Sequence, residues 1–311
     1  MCDALAHATN PAPQISLQVL NQARSATRLL GAAAPHEEPM RPLRAVLFGM
    51  FVLILAATLG HVEAAGTAWQ ANGLPLCTEA NDQSTPDAID DGAKGAFVVW
   101  RDERTAVGVG DIYLAHVTKD GDLTTPVNGL GICTATGNQL SPTIAPDGAG
   151  GCIVAWSDQR SGTSRIFAQR INVGNVPLWT AGGLQISPNT GKQQSPAIVE
   201  DGENGAIISW ADDSTGVFLV HATRVDGDGA VVWSRKVNPT ALGQGGATLA
   251  RDRESGTFIC WEQAEPNFGN VYAMWLRHDD GFSDGPIAVS AEPNIVALPA
   301  LVWVKAARPA A

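Results

Sequence analysis

The chain is poor in the residues from which catalytic centres are most often built. Its 311 residues include two tyrosines, six histidines and five cysteines. Only His116, His221 and His278 follow residue 65, and they stand in unlike contexts. HExxH, paired-cysteine metal spacing, G-x-S-x-G and a phosphate loop are all missing. The Gly-rich stretch "ALGQGGATL" around Gly243 leads toward a strand and not a helix, which argues against a phosphate cradle there. An excess of positive charge is missing too. Setting aside Asp3, Glu37, Glu38 and Glu63 with Arg24, Arg28, Arg41 and Arg44 leaves 27 acidic against 16 basic residues, the whole of the net −11. Nucleic acid and anionic membrane surfaces both call for basic patches, so neither is expected as a partner.

Only one long apolar run is present, in "MRPLRAVLFGMFVLILAATLGHVEAAG". Arg41 and Arg44 precede an apolar core from Ala45 to Gly60, and Val62-Glu63-Ala64 forms a small-residue cleavage site. That order predicts a secretory signal over residues 40–64, cleaved after Ala64. The core is short of the roughly 20 residues of a full span. An uncleaved anchor through residues 45–60 is the alternative, and the arginines ahead of the run place the remainder outside the cytoplasm in either case. Secretion, the cell surface or the periplasm is therefore the expected location. Residues 1–39, with four prolines, read as a low-order extension or as sequence upstream of the true start.

From residue 65 onward the chain repeats itself. "FVVWRDER", "CIVAWSDQR", "AIISWADDS" and "TFICWEQAE" place tryptophans at 100, 156, 210 and 261, at intervals of 56, 54 and 51 residues. Pro86, Pro142 and Pro196 each stand 14 residues ahead of a tryptophan, with Ala247 in the fourth unit. Asp-Gly or Gly-Gly then supplies a tight hairpin turn. In the tryptophan strand Ala96, Val98 and Trp100 share one face and Phe97 and Val99 the other. Both faces are apolar, so both are covered. A third strand follows at "IYLAHV", "IFAQRI", "VHATRV" and "VYAMWL". The fourth runs through Trp179 or Trp233, with Trp69 at the head of the array and Thr125 and Phe282 replacing tryptophan in the other units.

Four antiparallel strands per unit with both faces apolar predict an all-β propeller with blades at about 84–133, 141–187, 195–238 and 247–290. A lone fourth-type strand at 69–77 and a partial first-type strand at 299–303, with Pro299, flank the four complete blades. They read as an incomplete fifth blade or as the mark of a longer array, since an open ring exposes strand edges. Cys77 and Cys133 occupy one repeat position in successive units, too far apart for a disulfide. Cys133–Cys152 is harder to exclude, and buried thiols are the expectation for all four cysteines of the array, Cys77, Cys133, Cys152 and Cys260.

The unit "SPTIAPDGAGGCIVAWSDQRSGTSRIFAQRINVGNVPLW" resembles repeats of exported bacterial propeller proteins of the sialidase-like (BNR) or TolB-like groups, over residues 69 to about 302. A sialidase would imply a tyrosine nucleophile, a carboxylate and an arginine cluster. Tyr113 and Tyr272, however, share one repeat position with Phe167 and His221 and read as packing aromatics. The turn at Gly229 also lies four residues before Trp233 where the family's box wants three. A catalytic residue is thus not assigned.

Two sets of residues remain as binding candidates. The Trp-x-Asp-x-Arg set offers Asp102, Arg104, Asp158, Arg160 and Asp212, either as hydrogen-bonding partners for a glycan or as caps on strand ends. The acidic turns offer Asp120 with Asp122 and Asp226 with Asp228 as calcium ligands, or simply as hairpin turns without the third ligand and closing glutamate of a calcium loop. No cofactor is expected beyond that calcium. The loops at 105–110 ("TAVGVG") and 264–269 ("AEPNFG") depart most from the repeat and are expected to carry specificity for a glycan or protein partner. A non-catalytic binding or structural module is the leading expectation. A sialidase-like glycan hydrolase and a calcium-stabilised adhesion module are its rivals.

Overall fold

The computed structural model describes residues 69, 72–188, 191–239, 242–252, 255–264, 269–281 and 285–289. The expected signal over residues 40–64, the stretch before it, Phe282, most of the 264–269 loop and the expected partial strand at 299–303 lie outside the described residues.

The period-two apolar pattern folds as expected into four four-stranded antiparallel sheets, each in simple sequence order. Blade 1 comprises β1 (Gln83–Asp90), β2 (Ala96–Ala106), β3 (Val109–Val117) and β4 (Leu130–Cys133). Blade 2 comprises β5 (Gln139–Pro146), β6 (Cys152–Asp158), β7 (Arg165–Ile171) and β8 (Leu184–Gln185). Blade 3 holds β9 (Gln193–Glu200), β10 (Ala206–Asp212), β11 (Leu219–Val225) and β12 (Val231–Lys236). Blade 4 holds β13 (Gln244–Arg251), β14 (Gly256–Ala264), β15 (Gly269–Arg277) and β16 (Ile287–Ala288). The first strands of successive blades pack side by side, β1 on β5, β5 on β9 and β9 on β13, which is the radial stacking of a propeller. Among the described residues β1 and β13 do not pack on each other as these pairs do.

Each seam between blades is a separate apolar layer. Phe97, Val99, Ile112 and Leu114 of blade 1 pack on Cys152, Val154 and Trp156 of blade 2. Ile153, Ala155, Ile166 and Ala168 on the other face of blade 2 meet Ala206, Ile208 and Trp210 of blade 3. Ile207, Val220 and Ala222 of blade 3 meet Ile259 and Trp261 of blade 4. Every strand-two tryptophan therefore looks back toward the preceding blade. Trp100 looks the same way, onto a small apolar cleft lined by Leu76, Pro86, Val98 and Trp100.

Two glycines are fixed by these tryptophans. A Cβ on Gly129 or Gly183 would lie 2.5 or 2.3 Å from the outer ring carbon of Trp100 or Trp156, and both glycines hold positive φ (+89° and +92°). The four array cysteines are free thiols. Burial raises their pKa, to about 11 at Cys133, as expected for packing groups.

The inner strands carry a feature that the repeat pattern alone does not announce. Each has a bulge at the same place, where Thr85, Ser141, Ser195 and Gly246 hold positive φ of 49–58°. Three of these residues are not glycine, and Thr85 is β-branched, so the neighbouring register imposes the conformation against local preference.

Candidate functional site

The Trp-x-Asp-x-Arg residues come together, blade by blade, at the ends of the second strands. In blade 2 the Trp156 indole N–H donates to Asp158 Oδ2 at 2.8 Å. The Arg160 Nε and backbone N–H both donate to Asp158 Oδ1 at 2.9 Å, and Arg160 Nη2 reaches Oδ2 at 2.6 Å. Nη2 also donates to Gly182 O at 2.6 Å and to Cys133 Sγ at 3.0 Å, tying strand two to strand four and to the end of the preceding blade. The guanidinium lies 4.1 Å over the Phe167 ring, which itself stacks on Trp156. Blade 1 repeats the set with Trp100, Asp102, Arg104, Asn128 O, Cys77 and Tyr113.

Asp102 and Asp158 are fully buried. Burial opposes ionisation, yet the Arg104 guanidinium and the Trp100 indole outweigh it and hold the Asp102 pKa at about 2. Asp158 is lowered in the same way by Arg160 and Trp156 against the cost of burial. Asp212 keeps only part of the arrangement. It accepts from Ser214 N and from Gln193 Nε2, both at 2.8 Å, while the buried Trp210 N–H, like that of Trp261, has no partner among the described residues. These five candidate residues thus sit in networks that run within a blade and, at Arg160, to the end of the blade before it.

The acidic turns differ. Asp120 is exposed and pairs with Lys119. Asp226 Oδ1 accepts backbone N–H groups from Asp228 (3.0 Å) and Ala230 (2.8 Å) as an Asx turn. Among the described residues no group of three or more His, Cys, Asp or Glu side chains is placed to hold a metal.

Two recurring polar positions outside the candidate sets prove structural. Asp91, Asp147, Asp201 and Asp252 each stand nine residues before a tryptophan. Each accepts backbone N–H bonds across its turn, such as Asp147 Oδ1 from Ala149 and Gly151 at 2.8 Å. The second oxygen reaches the third strand, at His116, Arg170, Arg224 or Trp275, at 2.8–3.0 Å. Gln83, Gln139, Gln193 and Gln244 each stand three residues before the Pro or Ala position. Gln193 and Gln244 donate to Pro188 O and Asn238 O at 2.8 and 2.9 Å, binding an inner strand to the end of the previous blade. Recurrence at a fixed offset was the signal for both.

The element that departs from the repeat is the β2–β3 hairpin. Eight residues separate Asp102 from Asp111, where six separate Asp158 from Arg165, Asp212 from Leu219 and Gln263 from Asn270. The loop expected at 105–110 is instead a continuation of both strands, closed with Ala106 opposite Val109. Its tip projects, Val107 being 79% exposed. Its base is fixed: Glu103 pairs with Arg101 and accepts from Gly108 N at 2.6 Å. Asn138 of the next connection accepts from Arg101 Nη2 at 3.2 Å and from Gly110 N at 2.8 Å.

Beneath the hairpin lies Asp111, buried, accepting from Thr105 Oγ1 at 3.3 Å. With its amide nitrogen turned inward, Gln139 donates to Asp111 Oδ1 at 3.2 Å. Burial raises the Asp111 pKa, and the Asp102 charge adds to the shift.

No family model matches the chain, and no curated protein matches it. Among solved structures it is similar to an α-L-arabinanase from Penicillium chrysogenum, at 12% identity over 66% of each chain with a TM-score of 0.45. It is similar to an α-L-arabinofuranosidase from Fusarium graminearum at 12% identity over 63% of each chain with a TM-score of 0.44. A protein named as a TolB from Agrobacterium tumefaciens matches at 15% identity with a TM-score of 0.38, over 64% of this chain and 61% of that one. The present chain thus spans less than two thirds of the TolB protein's length.

Proposed function

We propose that this chain is an exported, non-catalytic β-propeller module that binds a glycan or a protein outside the cytoplasm, through the face bearing the β2–β3 hairpin. The observation that carries this reading is the two-residue extension of that hairpin, projecting at Val107 above a base clamped by Arg101, Glu103 and Asn138. A rigid base under a variable tip is how a repeat scaffold presents a binding element. The carboxylates and guanidinia of blades 1 and 2 support the same reading, since they are engaged with one another and with the indole N–H groups of Trp100 and Trp156. Export rests on residues 40–64.

Full-length protein displayed on a sensor surface and challenged with purified cell-surface polysaccharides and envelope proteins provides the test. A Val107→Asp, Val109→Asp double variant should lose binding with an unchanged Tm. Retained binding in that variant would overturn the hairpin assignment. Release of reducing sugar from the polysaccharide panel would replace the module with a glycan hydrolase. A fall in Tm on adding chelator would instead place calcium at the Asp120–Asp122 or Asp226–Asp228 turns.

A further inference from the structure

Blade 3 closes its outer strand by a shorter path than the two blades before it. Thr125 stands seven residues ahead of Ile132 and Trp179 seven ahead of Ile186, whereas Trp233 stands only four ahead of Val237. Strand pairing aligns the three connections: Leu130 lies opposite Leu114, Leu184 opposite Ala168 and Arg235 opposite Ala222. These are the same place on each third strand, one residue past the partner of the strand-two tryptophan. The missing residues therefore fall between Trp233 and Arg235, and an arginine stands where the sibling blades carry leucine.

The exchange keeps a contact and changes its chemistry. A Cβ on Gly229 would lie 3.0 Å from Leu184 Cδ2 and 3.2 Å from the Trp179 ring, and a Cβ on Gly281 would lie 2.8 Å from Arg235 Nε and 2.9 Å from the Trp233 ring. The guanidinium end of Arg235 thus rests on the turn of the next blade as the leucine methyl does, with Nε donating to Asp280 O. The Asp280 carboxylate pairs with Arg277 at 3.0 and 3.2 Å. Leu130 and Leu184 pack against the first and second seam layers. At the third seam a cleft of about 400 Å3 opens instead, walled by Ala222, Trp233, Val237, Met274 and Leu276 with Arg235 beside them. Those five apolar residues are buried, so packing fixes the walls.

We infer that this cleft binds a small amphipathic carboxylate, with its apolar body in the space that the shortened connection vacates and its carboxylate on Arg235. The sibling seams show the chemistry that suits this space, since each fills it with a leucine of the chain itself. Arg235 adds a planar cation that matches a carboxylate beside apolar walls, where a charge-assisted hydrogen bond is strongest. The site lies on blades 3 and 4 and is independent of the hairpin on blade 1.

Titration calorimetry of the full chain with octanoate, octanol and octyltrimethylammonium tests the inference. Octanoate should bind saturably at one site, and octanol and the cation at least about 10-fold more weakly, the loss expected for one charge-assisted hydrogen bond. Arg235→Leu restores the sibling residue and should weaken octanoate by a similar factor with an unchanged Tm, while Arg235→Lys should keep most of the affinity. Failure of octanoate to saturate, equal affinity for octanol, or full octanoate affinity in Arg235→Leu would overturn the assignment. The octanol comparison is made on the unaltered chain and decides the matter however the variants fold.

Discussion

Blades 2 and 3 are built on the same four strands and bury the same tryptophan completely, yet their polar interiors differ. In blade 2 the Trp156 indole, Asp158 and Arg160 close a network that also reaches strand four and the previous blade. In blade 3 Ser214 replaces the arginine, Asp212 turns to a backbone N–H and a glutamine, and the Trp210 N–H is buried without a partner among the described residues. His221 takes the place of Phe167 against the tryptophan, and burial lowers its pKa. Filling the seam is thus the constant requirement, and the charged network is an addition that a blade can lose and still fold.

That comparison can be broken first at the tryptophans. Trp156→Ala and Trp210→Ala should each cost about 3–5 kcal/mol, because each empties a seam between blades. Chemical denaturation showing one of them to be near neutral would end the claim that packing is the shared term. The next largest effect separates the blades. Asp158→Asn should cost about 2–4 kcal/mol by stranding the Arg160 charge beside buried groups, whereas Asp212→Asn should cost about 1 kcal/mol or less. Equal losses in the two blades would mean that the network is no more than decoration.

A finer cut uses phenylalanine. Trp156→Phe removes one hydrogen bond to Asp158 Oδ2, which keeps the Arg160 Nη2 bond, and Trp210→Phe removes an N–H with no partner among the described residues, so the first should be the costlier by about 1 kcal/mol. Thermal melts of the two variants at one pH decide it. The smallest effect sits in blade 1. Asp111 has a raised folded-state pKa, so its stabilising contribution is complete below the unfolded value of about 3.9 and is lost as pH rises through the folded value. Asp111→Asn should therefore raise Tm by about 2 °C at pH 7, with the gain shrinking toward pH 4. Asp102 runs in the opposite sense: its lowered pKa gives stability above about pH 3.9 that falls away as pH drops toward 2.

Much of the fold was legible before any coordinates. Tryptophans at matched intervals, Pro 14 residues ahead of them and Asp-Gly turns between apolar alternations specify strands and their order, because strand periodicity and turn chemistry are local properties. The expectation that Ala96, Val98 and Trp100 face one way and Phe97 and Val99 the other agrees with the seams. The hairpin was legible only as a departure from the repeat. That 103–110 extends both strands depends on Glu103 gripping the Gly108 N–H and on Asn138, from the next connection, gripping the Gly110 N–H.

The sequence by itself determined that this is an all-β array of four similar blades, since alternation, turns and internal repetition are written along the chain. Only the tertiary structure decided what the polar residues do. Whether Asp158 meets a ligand or an indole depends on partners brought together across strands and seams, from Cys133 to Gly182 around one carboxylate–guanidinium pair. A linear pattern records which residues recur. The cost of burying a charge, which allows it inside only when such partners converge, is settled in three dimensions.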